Sequence, residues 1–139
     1  MRSRRAVIDY ALAKRATLGD LFGGRATVTD VCDAHPYLLR AAKYRGETTA
    51  QDCPVCRREP LTHVTYVYGD ELRDAAGGTR TTAELAEMES RYREFAVYVV
   101  EVCRRCGWNH LHTSYLLGAA AAAAGPSKRT GKQRQAGQA

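Results

Sequence analysis

Two pairs of cysteines carry the clearest chemistry in the chain: Cys53-Pro54-Val55-Cys56 and Cys103-Arg104-Arg105-Cys106, the second followed directly by Gly107 and Trp108. Two residues between cysteines let a tight turn aim both thiolates at one cation, and two such turns supply the four ligands of a tetrahedral zinc ion. A disulfide or a redox couple needs only one such pair, so the presence of two points to metal. The pairs are separated by 46 residues, far more than the roughly 15 to 20 of the compact four-cysteine pattern. An insertion is therefore looped out between the turns.

Four thiolates close the coordination sphere and leave no position for an activated water, which a catalytic zinc requires. The metal's expected role is structural, contributing on the order of 10 kcal/mol of folding free energy. No Ser/His/Asp order, phosphate-cradling glycine loop or paired-carboxylate signature accompanies it, and Gly23-Gly24 lacks the Lys-Ser/Thr of a phosphate loop. The chain reads as non-enzymatic, with a core that leaves little room for a substrate pocket. Histidines are the alternative ligands: His63, His110 or His112 can replace a cysteine or bind a second ion. Cys32 has no partner by spacing; it reads as a small buried apolar residue, with a redox role as the alternative.

The elements that must position these residues follow from the apolar pattern. Residues 4–16 read as a helix with Val7, Ile8, Ala11 and Leu12 on its apolar side. Thr29 or Asp30 caps a short turn, and Asp33 caps a second helix through Leu38, Leu39, Ala41 and Ala42, with Pro36 in its first turn and Gly46 as its stop. Two short helices invite a helix-turn-helix reading, but that pattern occurs in many small domains that never touch DNA, and a helical layer covering the zinc-bearing sheet is the preferred reading. Leu61 to Tyr68 is rich in β-branched and aromatic residues and reads as a strand. An exposed loop through Gly77-Gly78 and a capped helix at Thr82–Met88 form the insertion, with Leu85, Met88 and Tyr92 on one face. Phe95 to Val102 is almost continuously apolar and reads as a central strand. A last strand alternates Trp108, His110, His112 and Ser114 against Asn109, Leu111, Thr113 and Tyr115.

Charge is distributed unevenly. Residues 1–46 carry nine Lys/Arg against four Asp/Glu, residues 47–118 eight against eleven, and residues 119–139 four against none. The cysteine-bearing region is mildly acidic and the flanks are basic, where a polyanion would be met or where charge serves solubility alone. Two readings stand for the strand after the second turn. Trp108, His110 and His112, with Tyr66 or Tyr68, can present rings on which unpaired bases stack while Arg57, Arg58, Arg104 and Arg105 meet phosphates. Alternatively, Trp108 packs under the metal turns and the arginines are solvated. Asp9, Lys14 and Arg15 interrupt any leader, no run approaches a bilayer span, and paired metal-type cysteines favour a reducing cytoplasm.

The order of turn, strand, insertion, strand, turn and strand resembles the zinc-ribbon family over roughly residues 50–117, on the motifs Cys53-Pro54-Val55-Cys56 and Cys103-Arg104-Arg105-Cys106-Gly107-Trp108. The wider chain, with Asp30-Val31-Cys32-Asp33-Ala34-His35-Pro36-Tyr37-Leu38-Leu39 before the first pair, also resembles a small actinobacterial family of uncharacterised proteins. The resemblance implies one structural Zn2+ and a docking role on RNA polymerase, the ribosome, RNA or DNA. A redox- or zinc-responsive switch acting through the paired thiolates is the alternative. The expected fold is α+β: N-terminal basic helices (1–49), a small three-stranded antiparallel zinc ribbon (50–118) with a helical insertion at about 70–94, and an Ala-rich then basic disordered tail (119–139).

Overall fold

The computed structural model describes residues 4–120. In chain order the elements are β1 (Arg5–Asp9), α1 (Ala11–Phe22), α2 (Val28–Val31), α3 (Pro36–Arg45), β2 (Glu47–Asp52), β3 (Pro60–Tyr68), a 3-10 helix (Asp70–Ala75), α4 (Thr82–Arg91), β4 (Phe95–Val102) and β5 (Asn109–Leu117). The strands form a five-stranded sheet in the order β1-β5-β4-β3-β2, all neighbours antiparallel. The class is α+β, but the sheet has five strands where three are expected.

Both extra strands lie at the edges, and each has a local cause. Asp9 Oδ1 accepts from the Ala11 amide at 2.8 Å and starts α1 there. Residues 5–9 are thereby freed to pair with β5, with Ile8 opposite Ser114 and Asp9 opposite Thr113. Val7, Ile8 and Leu12 consequently stand exposed, and do not form the apolar side of one helix. Long-range pairing of β-branched residues here overrides helical periodicity. β2 is Glu-Thr-Thr-Ala-Gln-Asp, with no apolar alternation for a sequence pattern to detect; a polar edge of this kind resists pairing with other chains.

The helices divide between the two sheet faces. Ala42 of α3, with Leu38, Leu39 and Ala41, packs on Val64 and Val102 on one face, so α3 is a covering layer. Its cap is His35, whose Nδ1 accepts from the Tyr37 amide at 3.1 Å; Asp33 instead receives the Asn109 side chain. Thr27 caps α2 through a reciprocal capping box with Asp30. On the opposite face, Leu85 and Met88 of α4 meet Val67, Phe95, Val97, Tyr115 and Leu117, with Tyr92 packed alongside. The segment expected as an exposed loop contains the 3-10 helix, which buries Leu72, and then returns along β3 through a Tyr66–Thr79 bridge. Residues 121–139, where most of the expected tail falls, lie outside the described residues. No helix among the described residues is long and apolar enough to cross a membrane.

Candidate functional site

The two cysteine turns meet at one end of the sheet. All four Sγ atoms of Cys53, Cys56, Cys103 and Cys106 lie within 4.8 Å of one another. Cys53 and Cys106 sulfurs are 3.7 Å apart, and those of Cys56 and Cys103 are 3.6 Å apart. A tetrahedral ion bound at about 2.3 Å from each sulfur separates them by about 3.8 Å, so the donor set fits a metal of that kind.

The turns repeat each other's backbone. Arg57 and Gly107, each directly after the second cysteine of its pair, take positive φ of 60° and 91°. The Arg57 amide donates to the Cys53 carbonyl at 3.1 Å and the Gly107 amide to the Cys103 carbonyl at 3.0 Å. This curl turns amides toward sulfur: Val55 N–H points to Cys53, Cys106 N–H to Cys103 and Trp108 N–H to Cys106, at 3.3 to 3.4 Å. Such N–H donors stabilise thiolates. Burial works the other way, pushing the Cys106 thiol up to about 12 and raising Cys53 and Cys103 as well. Cys56 moves in the opposite direction: burial opposes the shift, but the Arg58 amide and the neighbouring sulfurs hold it below the ordinary thiol value. A bound cation is what makes four thiolates at this spot favourable.

Trp108 is 0% exposed and packs with Val31, Cys53, Leu61 and Cys103, with Leu18 and Leu21 of α1 against the same cluster. It therefore lies beneath the metal turns and offers no free ring to a base. Its indole donates to Glu101 Oε2 at 2.8 Å, and His110 stacks on it at 5.9 Å. Arg57, Arg58, Arg104 and Arg105 are exposed around the turns.

Several residues invisible to motif reading gather here. Cys32, at the end of α2, places its Sγ 3.4 Å from that of Cys106. Glu101, 0% exposed inside the apolar run of β4, takes Lys14 Nζ of α1 at 2.7 Å on the same oxygen as Trp108. A lone glutamate two residues before Cys103 in an otherwise apolar strand is the signal that marks it. His63 stands opposite Glu101 in the sheet register. A register shift in β5, between the Val99–Thr113 and Val100–Leu111 pairs, makes His112 an extra residue there. The bulge ends the expected alternation. His112 stays beside Glu101 at 3.7 Å and packs against His63, the ring centroids 4.5 Å apart and the planes tilted by 37°, whereas Ser114 pairs with Tyr98 on the α3 face. Tyr66 and Tyr68 are also on that face, away from the histidines. Burial, and then the neighbouring His112, hold the His63 imidazole below its ordinary value and so in the neutral form.

Beside this row the sheet face opens into a cleft of about 310 Å³ under α4, lined by His63, His112, Glu47, Glu89, Tyr115 and Arg4 among others. The sequence leads one to expect little room for a pocket, and the cleft corrects that expectation.

An antiparallel sheet covered on both faces, with two cysteine turns converging at one end, defines a small α+β protein with a candidate four-thiolate metal centre. The chain belongs to the family of unknown function DUF5318, whose family model matches residues 1–132. Uncharacterised proteins of Mycobacterium bovis and Mycobacterium tuberculosis are each 51% identical to it over 119 residues, covering 86% of this chain and 87% of theirs. No solved structure matches the chain significantly.

Proposed function

We propose that this chain is a docking protein built around one structural zinc ion, and that it meets nucleic acid, alone or within the transcription or translation machinery, through the metal-bearing end. The observation that carries this reading is the closed geometry of the four sulfurs with exposed Arg57, Arg58, Arg104 and Arg105 around them. Four thiolates saturate a tetrahedral ion and favour zinc among divalent cations. They leave no place for a metal-bound water, so this centre holds structure and presents the turns. Arginines on two rigid turns suit phosphate contacts, and the basic flanks add long-range attraction.

Binding of a mixed-sequence RNA or DNA, measured by fluorescence anisotropy, is expected to weaken steeply between 50 and 200 mM salt as phosphate counterions are exchanged. Replacing the four turn arginines with alanine should flatten that slope while leaving the metal content unchanged. No binding even at low salt would leave a purely protein partner.

A redox-responsive switch is favoured by one specific observation, the 3.4 Å approach of Cys32 Sγ to Cys106 Sγ. A peroxide that oxidises Cys106 to the sulfenic acid releases water, and attack by the Cys32 thiol then expels a second water and leaves a disulfide. That bond removes one of the four ligands. Peroxide should release zinc from the wild type faster than from Cys32→Ser; equal rates in the two would dismiss this reading.

A further inference from the structure

We propose that the cleft between α4 and the sheet is a binding site for a small organic cation: an ammonium or guanidinium group on a short carbon chain. It is independent of the docking role assigned to the metal-bearing end. Glu89 of α4 lines the cleft, is only 4% exposed, and its Oε2 has no hydrogen-bond partner among the described residues. Taking a carboxylate out of water without a partner is costly unless a cation or donor meets it. Across the cleft His63 Nε2 is buried and likewise unpartnered. It can accept or donate a second hydrogen bond to a nitrogen-rich ligand.

The walls set the sign of the ligand. Glu47 stands at the rim, its carboxylate fixed by the Thr82 amide at 3.1 Å and the Thr82 hydroxyl at 2.9 Å. With Glu89 it makes the cleft hostile to anions. The Tyr115 ring already receives a cation, since the Arg4 guanidinium carbon lies 4.1 Å from its centroid. The cleft can therefore hold a planar cation against an aromatic face. Arg4 is exposed and comes from the start of the chain, so it acts as an internal occupant that a ligand displaces or joins. A metal ion is the competing candidate, but among the described residues the only convergence of three or more His, Cys, Asp or Glu donor atoms is the four-cysteine centre. A volume of about 310 Å³ is at the small end of ligand pockets, which limits the guest to a short chain.

The test is calorimetric titration of the full, metal-loaded chain with agmatine and with putrescine, in parallel with NMR of the histidine and tyrosine rings. The expected result is saturable one-to-one binding that shifts the His63 and Tyr115 signals. Glu89→Gln should weaken agmatine about tenfold or more, the loss expected for a charge-assisted hydrogen bond, while raising the thermal midpoint, because an uncompensated buried charge is gone. A purely structural Glu89 would do the opposite on the second readout. Arg4→Ala, a surface change, should tighten agmatine by removing its competitor, whereas an anionic ligand would lose affinity. The proposal is overturned by absence of amine binding at millimolar concentrations, by binding indifferent to Glu89→Gln, or by a second zinc equivalent that occupies the cleft and is lost in His63→Gln.

Discussion

The α1/α4 face of the sheet carries two polar regions a few residues apart, and they are built on opposite plans. At the four-cysteine end, sulfurs converge, amides point at them, and Glu101 Oε2 takes both Lys14 and Trp108, while its Oε1, 3.7 Å from His112 Nδ1, has no hydrogen bond among the described residues. Under α4, Glu89 and His63 hold buried polar atoms that no described residue meets. A region in which nearly every group is matched is committed to stability, and one whose helix and strand both present unmatched buried groups to a cleft is open to a ligand. In the reading proposed above, the first region holds the protein together and the second takes a ligand.

That contrast can be broken most forcefully at the sulfurs. If the centre holds the proposed structural zinc, Cys53→Ser should abolish cooperative folding, since such an ion contributes on the order of 10 kcal/mol; a normal chemical-denaturation curve would end the distinction. Next comes the glutamate behind the metal turns. Glu101→Ala strands the Lys14 amine and the Trp108 indole donor, with an expected loss of about 3 to 5 kcal/mol for breaking a buried ion pair. Urea unfolding checks it, and a loss below about 1 kcal/mol would move Glu101 from the closed region to the open one.

A smaller, pH-dependent effect belongs to the open region. His63 is held below its unfolded value of 6.5, so below that pH the unfolded chain takes up the proton more readily. Stability that His63 allows above pH 6.5 is lost as pH falls, and the midpoint of His63→Gln should decline less steeply between about pH 6.5 and 5 than that of the wild type. Parallel declines would remove His63 from the set. Least of all, Arg104→Ala with Arg105→Ala should change stability by no more than about 0.5 kcal/mol, because both side chains are in water. A larger change would make the arginines part of the closed framework.

What the sequence discloses tracks the range of the interactions. The cysteine turns are local, four residues each, and so are the apolar β3 and β4 and the Thr81–Glu84 capping box of α4; all are readable without a partner. β1 is misread as helix because its partner β5 lies more than 100 residues away. β2 is missed because a polar edge strand carries no period. The Trp108 side is read as one face, but the His112 bulge breaks the alternation, and the ring's burial depends on Leu18, Leu21 and Val31 arriving from α1 and α2. Cys32 joins the sulfurs from 74 positions away, which spacing cannot reveal. The Glu47, His63, Glu101 and His112 row exists only once four strands are aligned.

The most direct test of the four-thiolate centre is X-ray absorption at the zinc edge on protein purified with its native metal. One zinc per chain, with a shell of four sulfurs at about 2.3 Å and no lighter scatterer, is the expected result. A chain without stoichiometric metal, or a shell containing nitrogen or oxygen at about 2.0 Å, would contradict it.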